Sequence, residues 1–520
     1  MNRESGLQLS AFKEPFLPTG LYTAKQVREL DKLAIDRVPI EGFALMKKAG
    51  RAAFRRLLRH WPEAGSLSVF CGGGNNGGDG LVIAGLAAQK GITVKLVLLA
   101  EASSLKGEAA SAWQWLQQRN EFQSIDIETW PLSAELECDV IVDCLLGTGL
   151  TGKVRNKYAE AIDAINASGK PVFAVDIPSG LCSDTGRVLG SAVKAQRTIT
   201  FIGLKQGLLT ADAPDYVGGL EFDALDVPEA VFNEIEPGCL RADWKNFKTQ
   251  LPRRNRNAHK GVYGRVLVVG GDYGMAGAAL MAAEAVARAG AGLVYVATRP
   301  EHVAPFVARC PELMVRGIEE PQVLESLLEN IDVIVIGPGL GQGAWGQQLF
   351  QLAMKKNKSM VIDADGLNIL AALNITPRDN WILTPHPGEA ARLLACSVNC
   401  IEKDRFRSVV DLQKKYGGSC ILKGTGTLLA INQYKTELSD TTVWLANTGN
   451  PGMASGGMGD VLSGIIGGLL AQKGIDLSIV APAAVTLHGE AANLASVSMG
   501  EYSLLASDVL NAIPLLLKDI

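Results

Sequence analysis

Short apolar runs alternate along this chain with helix-like stretches, and glycine-rich polar loops follow one run after another. Residues 66–71 read SLSVFC, the loop GGGNNGGD follows, then GLVIAGLAAQ closed by Gly91, then ITVKLVLL. Apolar runs of this length suit strands buried on both faces, whereas the longer segments between them carry helical spacing. Strands that alternate with helices pair in parallel, because each crossover returns the chain to its starting end. Runs at 140–144, 172–175 and 198–202 extend the series. A second series opens with RVLVVGG (265–271) and continues through LVYVAT, DVIVIGPGLG, SMVIDADGL, WILTPHPGE and SCILKGTGTLLA. The fold class is therefore α/β, with parallel, doubly wound sheets.

A chain of 520 residues exceeds one ordinary core. Between about 227 and 259 the pattern weakens, with Pro228, Pro237, Gly238, Pro252 and the run Arg253-Arg254-Asn255-Arg256. This stretch reads as the junction between a domain over 1–230 and another over 231–520. No repeat relates the two halves, so they are different α/β units. The net charge of −4 supplies no footprint for nucleic acid, and no basic run indicates a membrane surface. Nine scattered cysteines, many in strand-like runs, indicate a reducing compartment rather than a disulfide framework. Cys396 and Cys400 are spaced to face each other on a helix but have no histidine nearby to complete a zinc site. MNRESGLQLS lacks an apolar signal core, and no segment reaches the roughly 18 apolar residues of a membrane span. A cytoplasmic protein is expected.

In the first half the polar exceptions fall in four places: Asn75-Asn76-Gly77-Gly78-Asp79, Asp143, Gly147-Thr148-Gly149-Leu150-Thr151-Gly152-Lys153, and Asp176-Ile177-Pro178-Ser179-Gly180. All fall just after expected strands, outside their carboxyl ends, where ligands sit in such sheets. Gly72, Gly74 and Gly77 match a dinucleotide fingerprint, but Asp79 would repel a pyrophosphate there. Gly147 to Lys153 nearly matches a phosphate-binding loop, with Val154 in place of the magnesium-binding hydroxyl. Asn76, Asp143 and Ser179 instead offer hard oxygens with one carboxylate among them. That set suits a monovalent cation better than magnesium or zinc. Asp176 remains as an acid or base; a loop-capping role for Asp143 and Asp176 is the plainer alternative.

In the second half, Lys423-Gly424-Thr425-Gly426-Thr427 follows a strand and can bind a nucleotide phosphate, or else form a tight hairpin turn. His386 stands between Pro385 and Pro387, a stiff setting that should aim its ring into a cleft. His60, His259, His302 and His488 have no comparable context. The stretch 447–470, NTGNPGMASGGMGDVLSGIIGGLL, joins a glycine turn to an apolar helix expected to start near Asp460. A helix start offers unpaired N–H groups and a positive dipole end, and Gly456, Gly457 and Gly459 leave them open to an anion. Beside an anion a carboxylate is out of place, unless it is a base that deprotonates a hydroxyl. The competing reading is an N-cap aspartate.

These motifs, taken in order, resemble a known family. LYTAKQVRELD, GGGNNGGDG, GTGLTG and VDIPSG resemble the epimerase domain of the NAD(P)H-hydrate repair family, a Rossmann-like sandwich. GDYGMAGA, GPGLG, DADGLN, TPHPGE, KGTGT and GGMGDVLSG resemble its ADP-dependent dehydratase domain, a ribokinase-like sandwich. The resemblance implies epimerisation of hydrated NADH and NADPH, followed by dehydration of the S form at the expense of ADP, with magnesium. It implies that Asn75 to Asp79, Gly147 to Lys153 and Asp176 line the first hydrate site, with potassium on Asn76, Asp143 and Ser179. In the second domain Ala278, Gly339, His386 and Asp460 would contact the hydrate, and Lys423 to Thr427 with Gly459 the adenine nucleotide. Asp460 and Asp176 would be the catalytic groups: Asp460 deprotonating the ring hydroxyl for attack on ADP, Asp176 serving at the epimerising carbon. Cys182 departs from the acidic residue expected in many relatives, outside these ligand sets.

Three other readings compete. Ribokinase-like vitamin kinases share the Gly-Met-Gly-Asp turn, which fits a small-molecule kinase. Gly72 to Gly77 alone would fit a nicotinamide-dependent dehydrogenase. A self-associating scaffold is the non-enzymatic reading, against which Asp143 and Asp176 speak. The expected partners are the hydrated nucleotides and ADP, with no nucleic acid or membrane, and the expected state is a homo-oligomer.

Overall fold

The computed structural model describes residues 17–37, 41–432, 441–518 and 520. The chain divides into two compact units, Met1–Leu208 with Asp212–Gly238, and Leu209–Ala211 with Cys239–Ile520.

The strands of the first unit are β1 (Gly20–Tyr22), β2 (Ser66–Cys71), β3 (Thr93–Leu98), β4 (Asp126–Thr129), β5 (Val140–Cys144), β6 (Val172–Val175), β7 (Arg197–Phe201), β8 (Leu204–Lys205) and β9 (Gly219–Asp223). A parallel sheet runs β4-β3-β2-β5-β6-β7-β9, and β1 pairs in parallel with β8. Side chains alternate between its faces: Leu67, Val69 and Cys71 join one core, and Phe70 joins the other. Each such aliphatic or aromatic side chain, fully buried, contributes about 1.5–3 kcal/mol. Strand order reverses between β2 and β5, which opens a crevice above their carboxyl ends.

The stretch expected as a loop at Asn75 to Asp79 is instead the first turn of the helix Asn75–Gln89. Glycine's poor helix propensity is overridden by packing: a Cβ on Gly77 would stand 2.0 Å from the Gly72 carbonyl oxygen. Asp143 likewise lies within β5, not after it.

In the second unit the strands are β10 (Cys239–Arg241), β11 (Arg265–Val269), β12 (Leu293–Thr298), β13 (Met314–Gly317), β14 (Val333–Ile336), β15 (Ser359–Ile362), β16 (Trp381–Leu383), β17 (Ser419–Leu422), β18 (Thr427–Asn432) and β19 (Thr441–Ala446). Their order is β13-β12-β11-β14-β15-β16-β17-β18-β19-β10. Pairing is parallel from β13 through β17, and β18 is antiparallel to both neighbours. Residues 227–259, read as a junction, contain β10 and the helix Trp244–Lys248, whose Trp244 and Phe247 enter the second unit's core. The apolar helix of the glycine stretch spans Met458–Leu470 and packs on the helix Ala276–Arg288. No helix among the described residues is long and apolar enough to cross a membrane.

Candidate functional site

In the first unit the loops after β2, β5 and β6 meet at the crevice. A Cβ on Gly147 would lie 3.3 Å from Asn76 Cβ and 3.6 Å from Asp176 Oδ2, so three expected site residues share one place. Asn76 is buried; its Nδ2 donates to the Leu146 carbonyl at 3.1 Å, and its Oδ1 has no partner. Asp143 is fully buried, and accepts the Ser179 hydroxyl at 2.6 Å and the Ser179 N–H at 2.8 Å. The Ser179 hydroxyl in turn accepts the Leu146 N–H at 2.8 Å, which ties all three residues to one loop. Burial pushes the Asp143 carboxyl up to about 6, against the pull of its Ser179 and Leu145 donors. An orphaned amide oxygen beside a carboxylate short of positive charge is a fitting donor set for potassium.

Asp176 follows β6 with φ of 70°, donates its N–H to the Ile199 carbonyl at 2.7 Å, and pairs through Oδ1 with the Lys205 ammonium. Asp79 and Asp31, both partly exposed, belong to the same charge cluster. Burial first, then the Asp176 charge, raises Asp79 well above the carboxylate range, with Lys205 opposing.

The second unit repeats this logic at its own crevice, where strand order reverses between β11 and β14. Gly339 in the loop after β14 has φ of 57°, and a Cβ there would stand 3.2 Å from Ala278 Cβ. Asp363, at the end of β15, is 1% exposed and accepts Lys423 Nζ at 2.8 Å and the Ser463 hydroxyl. Burial alone would raise Asp363, yet the Lys423 charge and its other donors hold it below the usual carboxylate range. Glu389 Oε2 lies 3.9 Å from the same ammonium, and burial pushes Glu389 up to about 7.

Asp460 is the third residue of its helix, and Gly457, in the left-handed region at φ of 91°, is the cap. The N-cap reading of Asp460 is therefore overturned: a residue inside the first turn has its side chain free for other work. Burial, with the Asp363 charge next and Lys423 opposing, pushes the Asp460 carboxyl up to about 7. A Cβ on Gly459 would stand 3.2 Å from Lys423 Nζ and 3.6 Å from Asp363 Oδ2, so the glycine turn closes over the ion pair.

The family described as NAD(P)H-hydrate dehydratase matches residues 266–515, and the family described as YjeF-related protein N-terminus matches 42–207. A bifunctional NAD(P)H-hydrate repair enzyme of Coxiella burnetii is 48% identical over 491 residues, covering 94% of this chain and 98% of the relative. The chain belongs to the bifunctional NAD(P)H-hydrate repair enzyme family. An Escherichia coli member is 43% identical over 498 residues, or 96% of this chain and 94% of that one. Among solved structures, an ADP/ATP-dependent NAD(P)H-hydrate dehydratase from Bacillus subtilis, co-crystallised with ATP and magnesium, has a TM-score of 0.48 and 31% identity. It covers 53% of this chain and 96% of its own. Membership favours nucleotide repair over the small-molecule kinase.

The expected residues fall unevenly around these centres. Thr151, Gly152 and Lys153 are exposed in an irregular loop beyond Gly147. Lys423 begins the β17–β18 hairpin, which is the turn reading of Lys423 to Thr427; Gly424 and Thr425 are exposed. His386 caps the helix Pro387–Leu394 through Nδ1, which accepts the Gly388 N–H at 2.9 Å, and its side chain is 51% exposed. Its ring is committed to that cap, because the two flanking prolines leave a helix start in need of an acceptor.

Sequence reasoning passed over Asp363, Glu389 and Lys205, and set His488 aside. Asp363 stood inside the quoted DADGLN motif; the signal that could have singled it out was a carboxylate directly after an apolar strand. His488, nearly buried, has an unpartnered Nε2, and burial together with Lys423 pushes its imidazole down to about 4.

Proposed function

We propose that the chain repairs hydrated nicotinamide nucleotides. Its first unit interconverts the R and S hydrates, and its second dehydrates the S hydrate with ADP to yield NAD(P)H, AMP and phosphate. The observation that carries this reading is Asp460: a carboxyl pushed up to about 7, in the first turn of a glycine-opened helix, beside the Lys423–Asp363 pair. A base poised near neutrality suits removal of a hydroxyl proton at physiological pH.

In the second unit Asp460 takes the proton of the ring hydroxyl, and that oxygen attacks the terminal phosphoryl group of ADP, releasing AMP. The N–H groups of the helix start and the Lys423 ammonium neutralise the charge that develops on the phosphoryl oxygens. Phosphate then leaves far more readily than hydroxide, expelled by the ring nitrogen lone pair, and loss of a proton from the adjacent ring carbon to solvent closes the double bond of NAD(P)H. Among the described residues no three acidic, histidine or cysteine groups converge to hold a metal. In this reading magnesium enters with the nucleotide phosphates, where it would supply charge neutralisation. Gly339, Ala278 and His386 shape the hydrate pocket, and Gly459 with Lys423 to Thr427 the nucleotide pocket.

In the first unit Asp176 moves the proton at the epimerising carbon, and Asn75 to Asp79 with Gly147 to Lys153 hold the dinucleotide. Potassium on Asn76, Asp143 and Ser179 would supply a positive charge for orientation. The protein is assigned to the cytoplasm, in keeping with its nine free thiols. A homo-oligomer would cover the exposed Val497, Tyr502 and Leu505; a monomer mass by light scattering rejects that assembly.

The deciding experiment supplies hydrated NADH as mixed epimers, with and without ADP. Complete recovery of NADH absorbance with ADP, and none without it, is expected. Recovery that stops at the S fraction would remove the epimerase assignment, and no recovery would remove the dehydratase assignment.

A further inference from the structure

Lys205 stands out as a lysine with 1% of its side chain exposed, paired with Asp176 and acting also on Asp31 and Asp79. Buried lysines are rare unless every donor is taken. Here all three are: Nζ pairs with Asp176 Oδ1, and donates to Thr200 Oγ1 at 2.9 Å and to the Phe201 carbonyl at 3.3 Å. The ammonium therefore cannot swing without abandoning a partner.

Asp176 itself rests on strained backbone, and a second strained residue lies three positions before Lys205. Asp176 has φ of 70°, and Ile202, in the turn that leads to Lys205, has φ of 58°. A β-branched residue in the left-handed region is costly, and such strain persists only where the surroundings enforce it. Ile202 is held by its N–H bond to the Asp223 carbonyl at 3.0 Å, and Asp176 by its bond to the Ile199 carbonyl at 2.7 Å. Two unfavourable conformations thus serve one contact.

That contact leaves the Asp176 oxygens unequal. Oδ1 is engaged by Lys205, while Oδ2 faces Gly147, 3.6 Å from where a Cβ there would stand. We propose that Lys205 is a positioning residue of the epimerase site: it clamps Oδ1 of Asp176, so that Oδ2 alone is presented to the epimerising carbon. The inference rests on the reading of Asp176 as the proton-transfer group. The remaining carboxyls give it a charge logic. Asp31 on the helix Ala24–Arg37 is pushed up to about 6 by burial, with Lys205 opposing and Asp176 adding to the rise, and Asp79 is raised well above the carboxylate range. The Lys205 ammonium acts on all three carboxyls, with Arg28 also drawing Asp31 down, and of the three only Asp176 receives its hydrogen bond.

Epimerase kinetics of Lys205→Met, Lys205→Arg and Thr200→Val test the assignment, with dehydratase turnover of the same preparations as the reference. Lys205→Met should lower epimerase kcat by about 10²-fold with KM changed less than about threefold, because orientation and not binding is lost. Lys205→Arg should recover part of that loss, and Thr200→Val, a nearly isosteric change, should lower kcat by about three- to tenfold. Ethylammonium added to Lys205→Ala should raise its rate, whereas tetramethylammonium, which has no N–H, should not. Wild-type kcat in Lys205→Met, or a rise in KM with kcat intact, overturns the proposal. Should the Lys205 variants fail to fold, an unchanged kcat in Thr200→Val overturns it and a reduced kcat with unchanged KM supports it. Asp176→Asn separates the two levels. An active Asp176→Asn removes the underlying reading, whereas an inactive one beside a fully active Lys205→Met removes only this inference.

Discussion

Replacing Asp460 by asparagine keeps the shape of the side chain and removes its charge, so two effects of one carboxylate can be measured apart. The wild-type group rises from 3.8 in a free chain to about 7 in the folded protein, with burial and Asp363 as the main causes. Below the unfolded value both states carry the proton, and the carboxyl costs nothing. As pH rises from about 3.8 toward 7, the unfolded chain ionises first, and folded stability falls through that window. Above it the loss is constant. Each pH unit between the unfolded and folded values is worth about 1.4 kcal/mol, which gives a ceiling of about 4 kcal/mol. Residual solvent contact at Asp460 screens this, and about half the ceiling is the expected value. Asp460→Asn should therefore be more stable than wild type by about 2 kcal/mol near pH 8, with the difference vanishing near pH 3.5. Thermal unfolding followed across that range reads the effect as a Tm gain of roughly 3–5 °C for a domain of this size. Dehydratase kcat should fall by about 10²–10⁴-fold, the usual share of a general base, while epimerisation is unchanged. A variant that kept dehydratase turnover would refute the catalytic role. A variant with no alkaline stability gain would refute the electrostatic account of the site.

The other expectations are independent of that variant. Lys423→Met strands the buried Asp363 carboxylate and should cost about 3–5 kcal/mol by denaturant unfolding, with dehydration lost; a change below about 1 kcal/mol would show that Asp363 finds another donor. Epimerase rate should fall when potassium is exchanged for tetramethylammonium and return with added potassium chloride, and Asn76→Ala should abolish that response. A wild-type rate indifferent to potassium would dismiss the cation site. Gly339→Val places a side chain at φ of 57° and 2.6 Å from the Met275 carbonyl oxygen. It should cost about 1–3 kcal/mol and suppress dehydration alone; a fully active variant would move the hydrate pocket elsewhere.

Patterns of period two and 3.6 needed no third dimension. SLSVFC and RVLVVGG announced parallel strands because a strand buried on both faces is largely apolar, and the loops after them announced a crevice because strand ends are where backbone groups stay unpaired. The motif order carried the family, and with it Asp176 and Asp460. Chemistry drawn from residues far apart in sequence was not legible. Asp363 and Lys423 are 60 positions apart and meet only because β15 and β17 flank β16 in one sheet. Lys205 sits in a short FIGLKQG turn with nothing local to mark it, and becomes informative once Asp176 lies against it. Even Asp460 read equally well as a helix cap until the helix was found to start two residues before it, at Met458. Local sequence determines hydrophobic period and turn chemistry, which act over a few residues. Charge pairing and burial act through space, and only the packed sheets decide which carboxylates keep their protons.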